Sequence, residues 1–298
     1  MNDYTTYLRA LLHDNPHIQL AYIDQQPDAH VLHIHPQPGT ADPQPTIRAG
    51  QPPFPIQYGE PTFFYILRCP ITCPRHSGPS TVCQNEPILL GCQIQPLIGD
   101  WVGTAGAPVR WSAAANRSKW GILSNWHVIA DGQHLGDPIF QPTRQAADYC
   151  AHLDAYHAPD PAHDNVLDVA LGDALVEGYH TIADKILSIG KVDPALPPLQ
   201  PGMQVIKYGR TTELTTGVIQ ALDAAVRVNY GEWEATFIHQ IVVKQTDHPF
   251  SAPGDSGSLI LTADKNRPAA LLFAGGGELT IGNPIPQIMD AFDLSFSI

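Results

Sequence analysis

Regular spacing of apolar residues begins near the start of the chain. Tyr4, Tyr7, Leu8, Leu11 and Leu12 recur at three- and four-residue intervals, which places them on one stripe of a helix. Asp3 is suited to cap this helix, and Asp14-Asn15-Pro16 to stop it. Two strand-like runs follow, HIQLAYI (17–23) and HVLHIHP (30–36), separated by the turn-forming DQQPDA. A Pro/Gly/Gln-rich stretch then runs to about residue 55, so residues 1–60 are expected to form a small α+β domain. Periodicity fades over 61–95, a connector that holds four of the five cysteines.

From about residue 96 the pattern becomes β throughout. WVGTAGAPVRW, KWGILSNW, LDVALGDAL, GMQVIKYG, TTGVIQAL, AAVRVNY, IHQIVVK, SGSLILT and AALLFAG follow one another between turns. Short strands at such regular spacing predict barrels or a sandwich. The Pro-rich DPALPPLQPG (193–202) divides the region into halves, about 96–192 and about 203–284. Ile285, Ile288, Met289 and Phe292 return to helical spacing after two prolines, predicting a final helix over about 285–294.

Composition agrees with a mostly β chain. Of 298 residues, 43% are hydrophobic, only 15% are charged, and 29 are prolines, a balance suited to a buried core with many turns. The formal charge of −13 repels phosphate, and no basic run offsets it, so nucleic acid is not an expected partner. No apolar stretch approaches 18 residues, so no membrane span is expected. The start, MNDYTTYLRALLHD, lacks the basic opening and apolar core of a signal peptide. With an odd number of cysteines, this points to a reduced, cytoplasmic protein.

The chemistry concentrates in three short segments. SAPGDSGSLIL (251–261) sets Ser256 in a glycine-flanked turn before an apolar strand. A serine hydroxyl is a poor nucleophile at neutral pH and needs a base, a group that orients the base, and donors for the oxyanion. ILSNWHVIAD offers His127 at the end of a β run. NVLDVALGDAL offers Asp168 before a run whose Val169 and Leu171 share one face; Asp164 and Asp173 are its neighbouring rivals. The chain order His127, Asp168, Ser256 is that of the chymotrypsin type among unrelated serine hydrolases. The glycine that would complete a G-x-S-x-G elbow is missing, since Ser258 stands there.

SNWHVIA, LDVAL and PGDSGS resemble the active-site blocks of the trypsin/chymotrypsin superfamily, over roughly residues 96–298. The resemblance implies two antiparallel β-barrels with a cleft between them, the 193–202 link crossing from one to the other, and a C-terminal helix. It further implies that Ser256 attacks the scissile carbonyl, that His127 shuttles the proton, and that Asp168 orients the imidazole. The backbone N–H groups of Gly254 and Ser256 would form the oxyanion hole. Phe273, Ala274 and Gly275 would pair with the substrate backbone, and Phe250 would lie near the floor of the specificity pocket. Secreted members pair the aspartate before the serine with an amine freed by cleavage; no such activation sequence lies upstream of residue 101, so Asp255 requires a different partner or none. GRTTELTTG (209–217) and the N-terminal region are similar to a bacterial intracellular trypsin-like group, itself related to a plant leaf-width regulator.

Other signals are weaker. Cys69, Cys73, Cys83 and Cys92, with His76 among them, offer thiolates for zinc, but only the first pair has ligand spacing, and unremarkable thiols are the simpler reading. Cys150 has no evident partner. His33 and His35 fall on one face of a strand, near His30, and a solvent-facing edge accounts for them without a metal. AGGGE (274–278) lacks the Lys-Ser/Thr of a phosphate loop. The expectation is therefore a cofactor- and metal-free serine endopeptidase acting on protein or peptide substrates. The alternatives are a peptidase fold used as a binding or regulatory module, and a protease latent until an activating partner or signal engages it.

Overall fold

The β runs from residue 101 onward close into two barrels. The fold is seen in a computed structural model that describes residues 4–25, 30–46, 54–70, 87–113, 117–174 and 182–296. In the second barrel, strands Gln204–Gly209, Leu259–Thr262, Pro268–Gly276, Leu279–Pro284, Glu234–Gln245 and Glu213–Asn229 pair in that order. Gln204–Gly209 also pairs with Glu213–Asn229, which closes the ring and leaves no free edge there. The runs TTGVIQAL and AAVRVNY are one strand of 17 residues, not two. Register shifts between Ile219 and Val226 absorb the break that the pattern suggested, as bulges that bend a strand around a barrel do.

The first barrel is built on a sheet ordered Pro138–Phe140, Tyr149–His157, Val169–Ala174, Arg117–Ser124 and Ala107–Ala113. A bridge from Gln95 to Phe140 joins it to Gln93–Ile94, which pairs with Trp101–Thr104. The final helix, Ile285–Phe292, is shorter than expected because Asp293 takes a left-handed turn at φ 46°. Leu294–Ser295 then pairs with Trp111 and Arg110, so the tail returns to the first barrel. Ile285, Ile288, Leu294 and Phe296 enter that barrel's apolar core.

The N-terminal helix spans Thr5–Asp14 and buries Tyr7, Leu8, Leu11 and Leu12. Its cap position is Tyr4, without a side-chain capping bond, and Asp3, expected to cap the helix, lies outside the described residues. The hairpin Ile18–Gln25 and His30–Pro36 is present, and its first strand pairs with Glu213–Asn229. The helix stripe packs on Ile18, Ala21, Leu32, Ile34 and Ala225, so this core is shared with the second barrel. No helix among the described residues is long and apolar enough to cross a membrane.

Candidate active site

Asn125 ends the Arg117–Ser124 strand, and the single turn Trp126–Ile129 places His127 at the face where the barrels meet. Asn125 Nδ2 donates to the Asp168 carbonyl at 2.8 Å and so ties this turn to the start of the next strand. His127 Nδ1 lies 2.7 Å from Asp168 Oδ2, and the His127 backbone N–H donates to Oδ1 at 3.1 Å. The bond to a carboxylate makes Nδ1 the protonated nitrogen and leaves Nε2 as the basic one. Among the described residues, Nε2 is buried and has no hydrogen-bond partner.

A further donor reaches Asp168. The Tyr230 hydroxyl, at the tip of the hairpin between Glu213–Asn229 and Glu234–Gln245, bonds Oδ2 at 2.6 Å. Burial works against the ionised carboxylate, but the His127 charge and the bonds from His127 and Tyr230 outweigh it, and the Asp168 pKa lies below the ordinary value. Burial and the Asp168 charge push the Tyr230 hydroxyl well above its ordinary range. Tyr230 also stacks on Trp233 at 4.2 Å and meets the His127 ring edge-on at 6.2 Å. Asp164 and Asp173 do not reach His127; they pair with Arg9 and with Lys119 and His152.

Ser256 sits in a turn that needs glycine on both sides. Gly254 has φ +101° and Gly257 φ +95°, a region that side chains disfavour. A Cβ on Gly257 would also lie 2.2 Å from the Thr104 carbonyl oxygen. The turn is docked onto the first barrel, since Thr104 N–H donates to the Ser256 carbonyl at 2.8 Å and Thr104 Oγ1 to the Gly254 carbonyl at 2.8 Å. Gly103 lies between the two halves of the site: a Cβ there would meet Val128 at 2.5 Å and the Ser256 carbonyl oxygen at 3.0 Å. The Ser256 hydroxyl donates to the Phe273 carbonyl at 3.0 Å rather than to His127. His127, Asp168 and Ser256 have no exposed surface.

Asp255 has the partner that the sequence left open. Lys207 Nζ lies 3.6 Å from Asp255 Oδ2, and both side chains are fully buried. The Thr211 and Thr212 N–H groups and the Thr212 hydroxyl bond the same carboxylate at 2.8, 3.1 and 2.7 Å. Burial lowers the Lys207 pKa, and the Asp255 charge offsets part of that. An internal ammonium thus stands against the aspartate, and the turn carrying Gly254 and Ser256 is held without a freed N-terminus.

The strand proposed to pair with substrate is already paired. Phe64–Ile66 runs antiparallel to Pro268–Gly276, with Ile66 opposite Ala274 and Tyr65 opposite Gly275. Leu67 N–H donates to the Phe273 carbonyl at 3.2 Å, and the Gly254 N–H donates to the Leu67 carbonyl at 2.6 Å. The Leu67 side chain packs in one apolar cluster with Phe250, Val205 and Val243. Arg68 Nε donates to the His127 carbonyl at 2.8 Å, its Nη2 pairs with Asp131, and its guanidinium lies 4.1 Å over Trp101. Sequence reasoning missed Lys207, Tyr230, Leu67 and Arg68.

The remaining candidates fall away from this cleft. Cys73, His76, Cys83 and the Cys69 side chain lie outside the described residues; Cys92 is buried and burial pushes its thiol up to about 11. Cys150 is buried, unbridged and also raised. His33 and His35 do not form a bare solvent edge: His33 stacks on Tyr22 at 4.7 Å, and His35 Nδ1 donates to the Glu60 carbonyl at 3.2 Å. Leu32 and Ile34, on the opposite face, are fully buried.

This arrangement of two barrels and a shared cleft also occurs in solved bacterial proteases. Thermobifida fusca protease A matches with TM-score 0.52 and 18% identity, covering 70% of this chain and 98% of that one. Cellulomonas bogoriensis chymotrypsin matches at 0.51 and 20%, covering 71% and 99%. Nocardiopsis protease matches at 0.51 and 15%, covering 72% and 100%. The chain has a trypsin/chymotrypsin-like fold. Residues 163–283 match the family described as the Nal1 C-terminal domain. No curated relative matches the chain. The trypsin-like fold spans the barrels, and the helix and hairpin before residue 60 are added to the side of the second one.

Proposed function

We propose that the chain is a cytoplasmic serine endopeptidase. The observation that carries this reading is the buried His127–Asp168 hydrogen bond of 2.7 Å, which leaves the basic Nε2 without a partner among the described residues, in the cleft that also holds Ser256. Rotation of the Ser256 hydroxyl away from the Phe273 carbonyl would let it pass its proton to Nε2 as Oγ attacks a peptide carbonyl. His127 would then protonate the leaving amine, and a water activated by the same imidazole would release the acyl group. Asp168, with its pKa held low, stays ionised to stabilise the imidazolium. The N–H groups of Gly254 and Ser256 would receive the oxyanion. Phe273, Ala274 and Gly275 would hold the substrate backbone, and Phe250 would close the pocket beneath its side chain.

A fluorophosphonate probe tests this directly. It is expected to modify Ser256 in the wild-type chain, mapped by peptide mass, and to leave Ser256→Ala unmodified. Ser256→Ala is expected to lower peptide hydrolysis on the order of 10⁶-fold with an unchanged circular dichroism spectrum. Hydrolysis that survives this substitution would remove the assignment.

A further inference from the structure

The cleft between the barrels is occupied by the chain itself, and the manner of occupation is informative. The Leu67 carbonyl accepts from the Gly254 N–H, the group proposed to hold an oxyanion. That bond is 2.6 Å long. Leu67 N–H shares the Phe273 carbonyl with the Ser256 hydroxyl, so the Leu67 peptide and the nucleophile are brought to one acceptor. Upstream, Ile66 and Tyr65 pair antiparallel with Ala274 and Gly275, while Phe64 and Tyr65 pair in parallel with Val228 and Asn229, so the segment is held by strand pairing of the kind used in β-augmentation. Downstream, Arg68 is held by the His127 carbonyl, Asp131 and Trp101, and Cys69–Pro70 pairs with Trp101–Val102 of the first barrel. The segment therefore crosses the whole cleft, with the Leu67–Arg68 bond at its centre.

We propose that residues 64–68 are a substrate-like strap: they shut the site in the intact chain and reveal its substrate class, peptides with leucine or a similar large aliphatic residue before the cut and a basic residue after it. This rests on the peptidase reading. The Leu67 side chain belongs to the apolar cluster that includes Phe250, Val243, Ile241 and Leu272, and a Cβ on Gly275 would lie 3.2 Å from both Leu67 Cδ1 and Ser251 Oγ. A charged side chain in place of Leu67, which is 7% exposed, would be buried against that apolar cluster. On the other side, Asp131 and the Trp101 ring together suit a guanidinium. An external peptide must displace the strap, so its apparent affinity is reduced by the fraction of molecules that are open.

Three full-length proteins test this: wild type, Leu67→Asp and Arg68→Ala. The readouts are the rate of Ser256 labelling by a limiting fluorophosphonate and the hydrolysis of two quenched peptides. One peptide reproduces residues 63–68; the other replaces its leucine with aspartate. Leu67→Asp is expected to label at least tenfold faster than wild type. It is also expected to cut the leucine peptide after leucine at least tenfold faster than the aspartate peptide. Arg68→Ala leaves the pocket filled and is expected to label several-fold faster, which keeps the test open if Leu67→Asp does not fold. Equal labelling of wild type and the folded variants overturns the strap while leaving the peptidase reading in place. Equal cutting of both peptides, or cutting elsewhere, overturns the substrate class. Failure of every protein both to label and to cut removes the peptidase reading, and the strap with it.

Discussion

At the scale of single residues, the site turns on how a buried carboxylate is kept ionised. Asp168 has no exposed surface, yet its pKa is low, because His127 and the Tyr230 hydroxyl compensate for burial. A depressed carboxylate stabilises the fold above the ordinary pKa of about 4 and loses that contribution as pH falls through the folded value. Tyr230 has the opposite linkage. Its raised pKa means that the unfolded state ionises first, so stability falls as pH rises past about 10. Tyr230→Phe removes one bond to Asp168 and the phenol together. The expected outcome is a loss of about 1.5–3 kcal/mol at pH 7, an acid limb displaced to higher pH, and a flatter alkaline limb. Urea midpoints measured from pH 2 to 11 check all three.

At the scale of elements, the three catalytic candidates were legible because each sits in a local signature: a strand end, a strand start and a glycine-bracketed turn. Residues that act across elements were not. Lys207 carried a faint signal, since in the alternating QVIKYG it shares a face with the buried Val205, and a lysine on a core face requires a buried partner. Tyr230 lies within a turn signal, Asn-Tyr-Gly, that says nothing about the distant Asp168 to which the hairpin bends. Phe63 to Leu67 is an apolar run with strand character, but its function depends on the other strand it meets, and period alone does not name a partner. The N-terminal helix is likewise readable in itself, while its anchoring is not. Arg227, on the Glu213–Asn229 strand, donates to the carbonyls of Leu12, Pro16 and Ile18 at 3.1, 2.7 and 3.0 Å. A cation at the C-terminal end of the helix meets its dipole and one of its last carbonyls, that of Leu12. Arg227→Ala is expected to destabilise the chain by about 2–3 kcal/mol, with hydrogen exchange rising first in the Thr5–Asp14 helix.

At the scale of the whole molecule, residues 64–70 form a tie as well as a strap. They pair with the second barrel through Ile66 and Ala274 and with the first through Cys69 and Val102, so opening the site also removes a link between the barrels. Activity and stability should therefore move in opposite directions when this segment is weakened. Burial of one leucine contributes about 1.5–3 kcal/mol, enough to lower the Tm of Leu67→Asp by several degrees while labelling of Ser256 accelerates. A general loosening of the fold would give the same pair of signs, and Leu12→Ala separates the two explanations. Leu12 is fully buried on the inner face of the N-terminal helix and belongs to a different core cluster from Leu67. Its truncation is expected to cost about 2–5 kcal/mol, as much as the strap variant or more. If the cleft is closed by the strap in particular, Leu12→Ala labels at the wild-type rate at temperatures below its own transition, whereas Leu67→Asp labels faster at the same distance from its Tm.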